Sequence, residues 1–210
     1  MNFHRLTVVA AALLAATSAQ AAVISGLYNT GVNNTGTPLS NFSSELHYTL
    51  VSVPSGTTSV RVATSANAFP IGPWIGDDAV SAWIGPNSDS QLDGPVGTYD
   101  YRVTFSLAGY NAATAAIAGL WATDDAGSGI LLNGVSTGNT AGGFSSFSAF
   151  SISSGFVAGT NTLDFLVGNA GGPTGLRVEM TGTAALPEPA TMAILGLGLA
   201  GLGLARSKRA

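Results

Sequence analysis

Apolar and polar residues alternate with a period of two through the middle of this chain. In the run 99–107, Tyr99, Tyr101, Val103, Phe105 and Leu107 share one face of an extended strand, and Asp100, Arg102, Thr104 and Ser106 share the other. One side can pack while the other meets water, as an antiparallel sheet permits. Helical periodicity is nearly absent between residues 22 and 185. The pattern restricts the chain to an all-β class before any motif is considered.

Further strand signals cover 47–53, 59–63, 79–84, 115–123, 129–132, 144–152, 162–167 and 176–180, separated by clusters of Gly, Pro, Asn and Ser. The run 115–123 is apolar on both faces, as a central strand would be. Asn133-Gly134 predicts a type I′ hairpin turn, because both residues tolerate positive φ. Gly109 and Gly119 favour a loop across 108–118, and 181–186 reads as a short flexible linker. Short strands so spaced predict an antiparallel β-sandwich or jelly roll.

Cysteine is absent, so packing alone must hold the fold and thiol chemistry is excluded. His47 is the sole histidine between residues 22 and 185, which excludes a His-rich zinc site. A Ser-His-Asp triad would have to use His47, which lies in an alternating stretch with no nucleophile elbow nearby. In the same span, Arg61, Arg102 and Arg177 face ten carboxylates, leaving a net charge of −7. Such a surface repels nucleic acid, so a DNA or RNA partner is not expected.

Both ends carry a different pattern. Residues 1–21 read as a secretory signal peptide: His4 and Arg5, an apolar run 6–16, then Ala19-Gln20-Ala21 as an A-x-A cleavage site. The segment would engage the secretion translocon as a partner, and cleavage after Ala21 would leave Ala22 first; an uncleaved anchor is the alternative. At the other end, Leu186-Pro187-Glu188-Pro189 precedes an uncharged apolar run 190–205, and Arg206 and Arg209 close the chain. The prolines deny helix donors and keep their segment extended. At roughly 1.5 Å per residue the 16-residue run reaches about 24 Å, short of the ~30 Å hydrocarbon core. A short, glycine-rich helix suits transient membrane insertion better than permanent anchoring.

The ordered set Pro187-Glu188-Pro189, Gly/Ala/Leu helix and Arg206/Arg209 resembles the PEP-CTERM sorting signal of exported proteins in Gram-negative bacteria. That resemblance implies a membrane protease, an exosortase, as the partner that recognises the tail. Thr-Gly is missing after Leu186-Pro187, which sets a sortase signal aside. An ordinary C-terminal anchor after a Pro-rich linker is the alternative. The expected organisation is a signal peptide at 1–21, a β-sandwich domain at 22–185 and a sorting tail at 186–210. A signal helix and a hydrophobic helix would flank the sandwich.

Four stretches between Gly97 and Glu179 also resemble the galactose-binding-like jelly roll: 97–105, 121–125, 130–134 and 171–179. The resemblance implies that fold and contact with carbohydrate, without supplying a binding residue. Trp74 lies in a Pro/Gly-rich loop followed by Asp77-Asp78. An exposed Trp stacks on the apolar face of a sugar, and adjacent carboxylates accept its hydroxyl hydrogen bonds. Trp74, Asp77 and Asp78 are therefore the candidate sugar-binding residues, with a Trp that pins its own loop as the alternative. Trp83 and Trp121 read as core. Asp77-Asp78 and Asp124-Asp125 could contribute to a structural Ca²⁺ site, although solvated turn residues explain them more simply. No other cofactor and no catalytic residue is expected. Glu45 and Glu179 could form a glycosidase pair, but an ion-paired surface strand explains Glu179 beside Arg177 more simply.

The sequence thus predicts an exported, non-enzymatic protein of the cell surface or extracellular matrix. It would be anchored transiently in the inner membrane and would associate with exopolysaccharide. A structural or adhesive protein without a sugar site is the alternative, and a glycoside hydrolase is a third class.

Overall fold

A computed structural model describes residues 20–55, 60–62, 72–87, 89, 92–187 and 198. The expected signal helix with Ala19, the expected hydrophobic helix apart from residue 198, and Glu188, Pro189, Arg206 and Arg209 lie outside these residues. Among the described residues no helix is long and apolar enough to cross a membrane. Residues 21–187 form one contact unit.

The strands follow the alternation. They are β1 (Ala21–Val23), β2 (Tyr48–Ser52), β3 (Arg61–Val62), β4 (Ile84–Gly85), β5 (Gly97–Ser106), β6 (Asn111–Asp124), β7 (Ala126–Leu132), β8 (Val135–Ser136), β9 (Ser148–Ile152), β10 (Thr160–Asn169) and β11 (Gly175–Ala185). One sheet runs β3-β4-β11-β6-β9, with β1 also paired to β11; the other runs β2-β5-β10-β7-β8. Their pairings are antiparallel. The all-β expectation holds across the described residues of the unit 21–187.

Tyr99, Tyr101, Val103 and Phe105 of β5 all point into a core shared by both sheets, as their spacing requires. From the opposite sheet, Trp121 approaches Phe165 to 5.7 Å and Phe150 approaches it to 5.9 Å. The predicted Asn133-Gly134 turn joins β7 to β8, with φ of 52° and 80°.

Three expectations are corrected. The loop assigned to 108–118 is confined to 108–110, and 111–118 is instead the first part of β6. Its outward residues, Thr114, Ala116 and Ala118, are small and weakly amphipathic, which hid the strand. Gly119 does not break it but permits close approach: a Cβ there would lie 2.4 Å from the Glu179 carbonyl and 2.7 Å from the Phe150 ring. The linker assigned to 181–186 is strand through Ala185, because β1 pairs with it as Ala21↔Ala185 and Val23↔Thr183. In the run 79–84 only Ile84 is in a strand; Asp77 and Asp78 hold the preceding residues in a loop.

Candidate functional site

At one end of the domain β6 finishes, β7 begins, β10 finishes and β11 begins. The registers Asp124↔Gly175, Ala126↔Gly168 and Gly97↔Asn169 bring these ends together. The loop 72–83 lies there against the outer face of the first sheet, opposite the shared core. Trp74, Trp83 and Ala122 form a second hydrophobic cluster on that face, flanked by Ile75, Phe144 and Phe147.

Trp74 is not the exposed platform its loop predicts. Its ring is 6 % exposed and stacks obliquely on Trp83 at 4.3 Å between centroids. Its indole N–H donates to Asp124 Oδ2 at 2.7 Å. The ring sits over Gly175, where a Cβ would lie 3.0 Å from it. A buried hydrogen-bond partner and an aromatic neighbour draw it inward, so its face is already in use. Trp83 and Trp121 are core residues as expected, although Trp83 belongs to the outer cluster.

Asp77 and Asp78 stand beside Trp74 in sequence and do different work. Asp77 Oδ1 accepts the Trp83 amide at 2.9 Å. Burial pushes its pKa up to about 7, against the lowering effects of that amide and of Arg177. Asp78 Oδ1 accepts the amides of Val80 and Ser81 at 2.8 and 3.0 Å, which closes a turn. Partial burial opposes its ionisation, yet these amides and Arg177 outweigh it and hold the carboxyl below its ordinary pKa.

Arg177 ties the loop to β11. The expected pairing with Glu179 is present at 3.1 Å, but the strand surface expected around it is not: Arg177 is 1 % exposed. Its Nε donates to Ser81 Oγ at 2.8 Å, one terminal nitrogen donates to the Gly76 carbonyl, and the other faces Asp78 at 3.0 Å. The guanidinium also lies 4.9 Å from the Phe147 ring centroid. Sequence reasoning missed this anchor. The available signal was a lone cation between Leu176 and Val178 in a domain that also carries the paired carboxylates Asp77-Asp78.

Asp124 and Asp125 part in the same way. Asp124 is buried under Trp74, and burial first, then its neighbour Asp125, raises its pKa to about 7. Its backbone carbonyl accepts the Thr174 hydroxyl at 2.7 Å. Asp125 turns toward an open cleft of about 340 Å³, where its Oδ2 accepts the Ala170 amide at 2.7 Å. Thr98 and Asn169 line the same cleft. Asn169 donates to the Gly94 carbonyl at 2.9 Å and accepts the Gly171 amide at 3.0 Å, which fixes the cleft wall.

Among the described residues no group of three or more His, Asp or Glu side chains could hold a metal ion. The four aspartates weighed as Ca²⁺ ligands each accept a hydrogen bond from the protein. Glu45 and Glu179 are likewise committed. Glu45 accepts the amides of Gly31 and His47, both at 2.8 Å, and burial raises its pKa. Glu179 accepts the Ser81 hydroxyl at 2.8 Å. His47 stacks on Tyr28 at 3.5 Å, just before β2.

The arrangement therefore has two parts: a tethered loop whose polar groups are paired internally, and a cleft where Asp125 and Thr98 face outward. At the opposite end of β11 the Ala185 amide donates to Thr114 Oγ1 at 2.8 Å, and Leu186 and Pro187 are exposed.

Residues 185–209 match the family described as the PEP-CTERM protein-sorting motif. The motif marks the chain as an exported protein targeted to exosortase. No curated protein and no solved structure matches the chain.

Proposed function

We propose that this protein is a non-enzymatic component of the cell surface or extracellular matrix that associates with exopolysaccharide. Its chain passes the secretion translocon, loses the signal peptide after Ala21 and is held at the inner membrane by its tail until exosortase acts. Two antiparallel sheets around one core, followed directly by the sorting motif, support a jelly-roll, galactose-binding-like domain as the exported cargo. The observation that carries the carbohydrate reading is the open cleft at Thr98, Asp125 and Asn169. It offers hydroxyl and carboxylate groups at the strand ends, and binding there would be shallow and weak per site. Affinity electrophoresis of the mature exported protein in gels carrying the host's released matrix polysaccharide tests the reading. Retardation is expected; unchanged mobility at every polysaccharide concentration would refute it.

The burial of Trp74 favours a second reading, a structural or adhesive protein without a sugar site. Thr98→Arg fills the cleft without touching the loop. Surface retention at the wild-type level in that variant favours the structural reading, and loss of retention favours the cleft.

A further inference from the structure

A second recess lies toward the other end of the domain, where the two sheets stop at their edge strands β8 and β9. It measures about 300 Å³, and Leu132 and Ile152 form its apolar floor. Its rim consists of hydroxyls. Thr137 Oγ1 donates to the Ile130 carbonyl at 2.8 Å, and Ser136 Oγ accepts the Gly138 amide at 3.3 Å. The hydroxyls of Ser151, Ser153 and Ser154 have no partner among the described residues. An adjoining recess of about 250 Å³ shares Ser151, Ile152 and Ser153, and continues over Ala116, Ala118 and Thr181 on the outer face of the first sheet. Neither recess is lined by an ionisable side chain.

That lack of charge is informative in a domain with a net charge of −7. Its overall field disfavours an anionic ligand, and these walls hold no cation to offset it. The lining pairs free donors and acceptors with small apolar surfaces. A sugar ring has the same two aspects, a hydroxyl rim and a C–H face. The volume is also near the lower bound for small-ligand sites.

We infer that the two recesses meeting at Ser151–Ser153 bind an uncharged saccharide segment. The serine hydroxyls exchange hydrogen bonds with the sugar hydroxyls, and Val135, the exposed apolar side chain of the recess, covers the ring's C–H face. This inference rests on the exopolysaccharide reading above, and it adds a place of contact separate from the cleft at Thr98 together with the sugar class.

The test separates the host's released matrix polysaccharide into neutral and acidic fractions by anion exchange. The mature exported protein is measured against each by affinity electrophoresis. One variant, Ser153→Glu with Ser154→Glu, places two carboxylates in the recess. A control, Thr49→Glu with Thr104→Glu, adds the same charge at exposed positions of the other sheet. Tryptophan fluorescence melts of both variants verify the fold. The expected result is binding to the neutral fraction, weakened at least tenfold in the recess variant and less than twofold in the control. Binding to the neutral fraction that survives in the recess variant overturns the inference and leaves the exopolysaccharide reading standing. Binding to the acidic fraction alone also overturns it. Binding to neither fraction refutes the reading on which it rests.

Discussion

The first sheet covers its two faces by different chemistry. The inner face is sealed by aromatic and branched side chains: Ile117, Trp121, Phe150 and Val178 meet Tyr101, Phe165 and Ile130 of the other sheet. One end of the outer face is sealed by the loop 72–83, whose tryptophans and aspartates are held by hydrogen bonds and ion pairs to one another and to Asp124 and Arg177 of the sheet. The inner cover needs only apolar area and shape, so many hydrophobic sequences would serve. The outer cover needs each polar partner, because a buried group left alone costs more than the bond it lost contributed. The two halves of one sheet should therefore fail differently when cut.

Trp121→Ala tests the inner face and should cost the most, about 3–5 kcal/mol, with the whole domain unfolding in one earlier denaturant transition. A change under about 1 kcal/mol would mean that the core does not depend on this ring. Arg177→Leu tests the outer face. It leaves Asp78, Glu179 and the Gly76 carbonyl without their cation and should cost about 3 kcal/mol. It should also open 72–83 to protease before the sheets unfold. If loop cleavage and global unfolding stay simultaneous, the outer cover is not a separate unit.

A smaller effect distinguishes the two covers by pH. Asp77 and Asp124 have pKa values of about 7 in the fold, against ~4 in the unfolded chain. Between these values the two groups hold more protons in the folded state, so their contribution to stability is fully present below pH ~4 and is lost as pH rises through 7. Asp124→Asn removes one of the two protons and should flatten that fall. A pH–stability curve identical to wild type in this variant would remove Asp124 from the account. The smallest expected effect is Gly134→Ala, which forces an alanine to a φ of 80° and should cost about 1 kcal/mol. It leaves both covers intact, and protease resistance of 72–83 should not change.

The same division governs what could be read from the residues alone. β5 and the Asn133-Gly134 turn were legible, since alternation and turn chemistry are local signals. The first half of β6 was not, because Asn, Ala and Thr give little contrast between faces. β1 was hidden because its strand state comes from a partner at the far end of the domain. The Trp74 loop was legible as a loop and misleading about exposure. Pro, Gly, Trp and Asp look alike in sequence whether the ring meets solvent or a carboxylate 50 residues away. Arg177 was read as an ion pair correctly and as a surface residue wrongly, for the same reason. Local pattern reveals the inner cover, while the outer one is defined by distant partners.

One pairing sets a timetable. β11 binds β1, β4 and β6 at once, so the first sheet has no middle until residues 175–185 exist. A nascent chain short of that point carries β1 and β4 as unmated edges, and such long-range contacts form late. Closure of the first sheet therefore waits for the segment next to the sorting motif, whereas the second sheet is complete in sequence by Asn169.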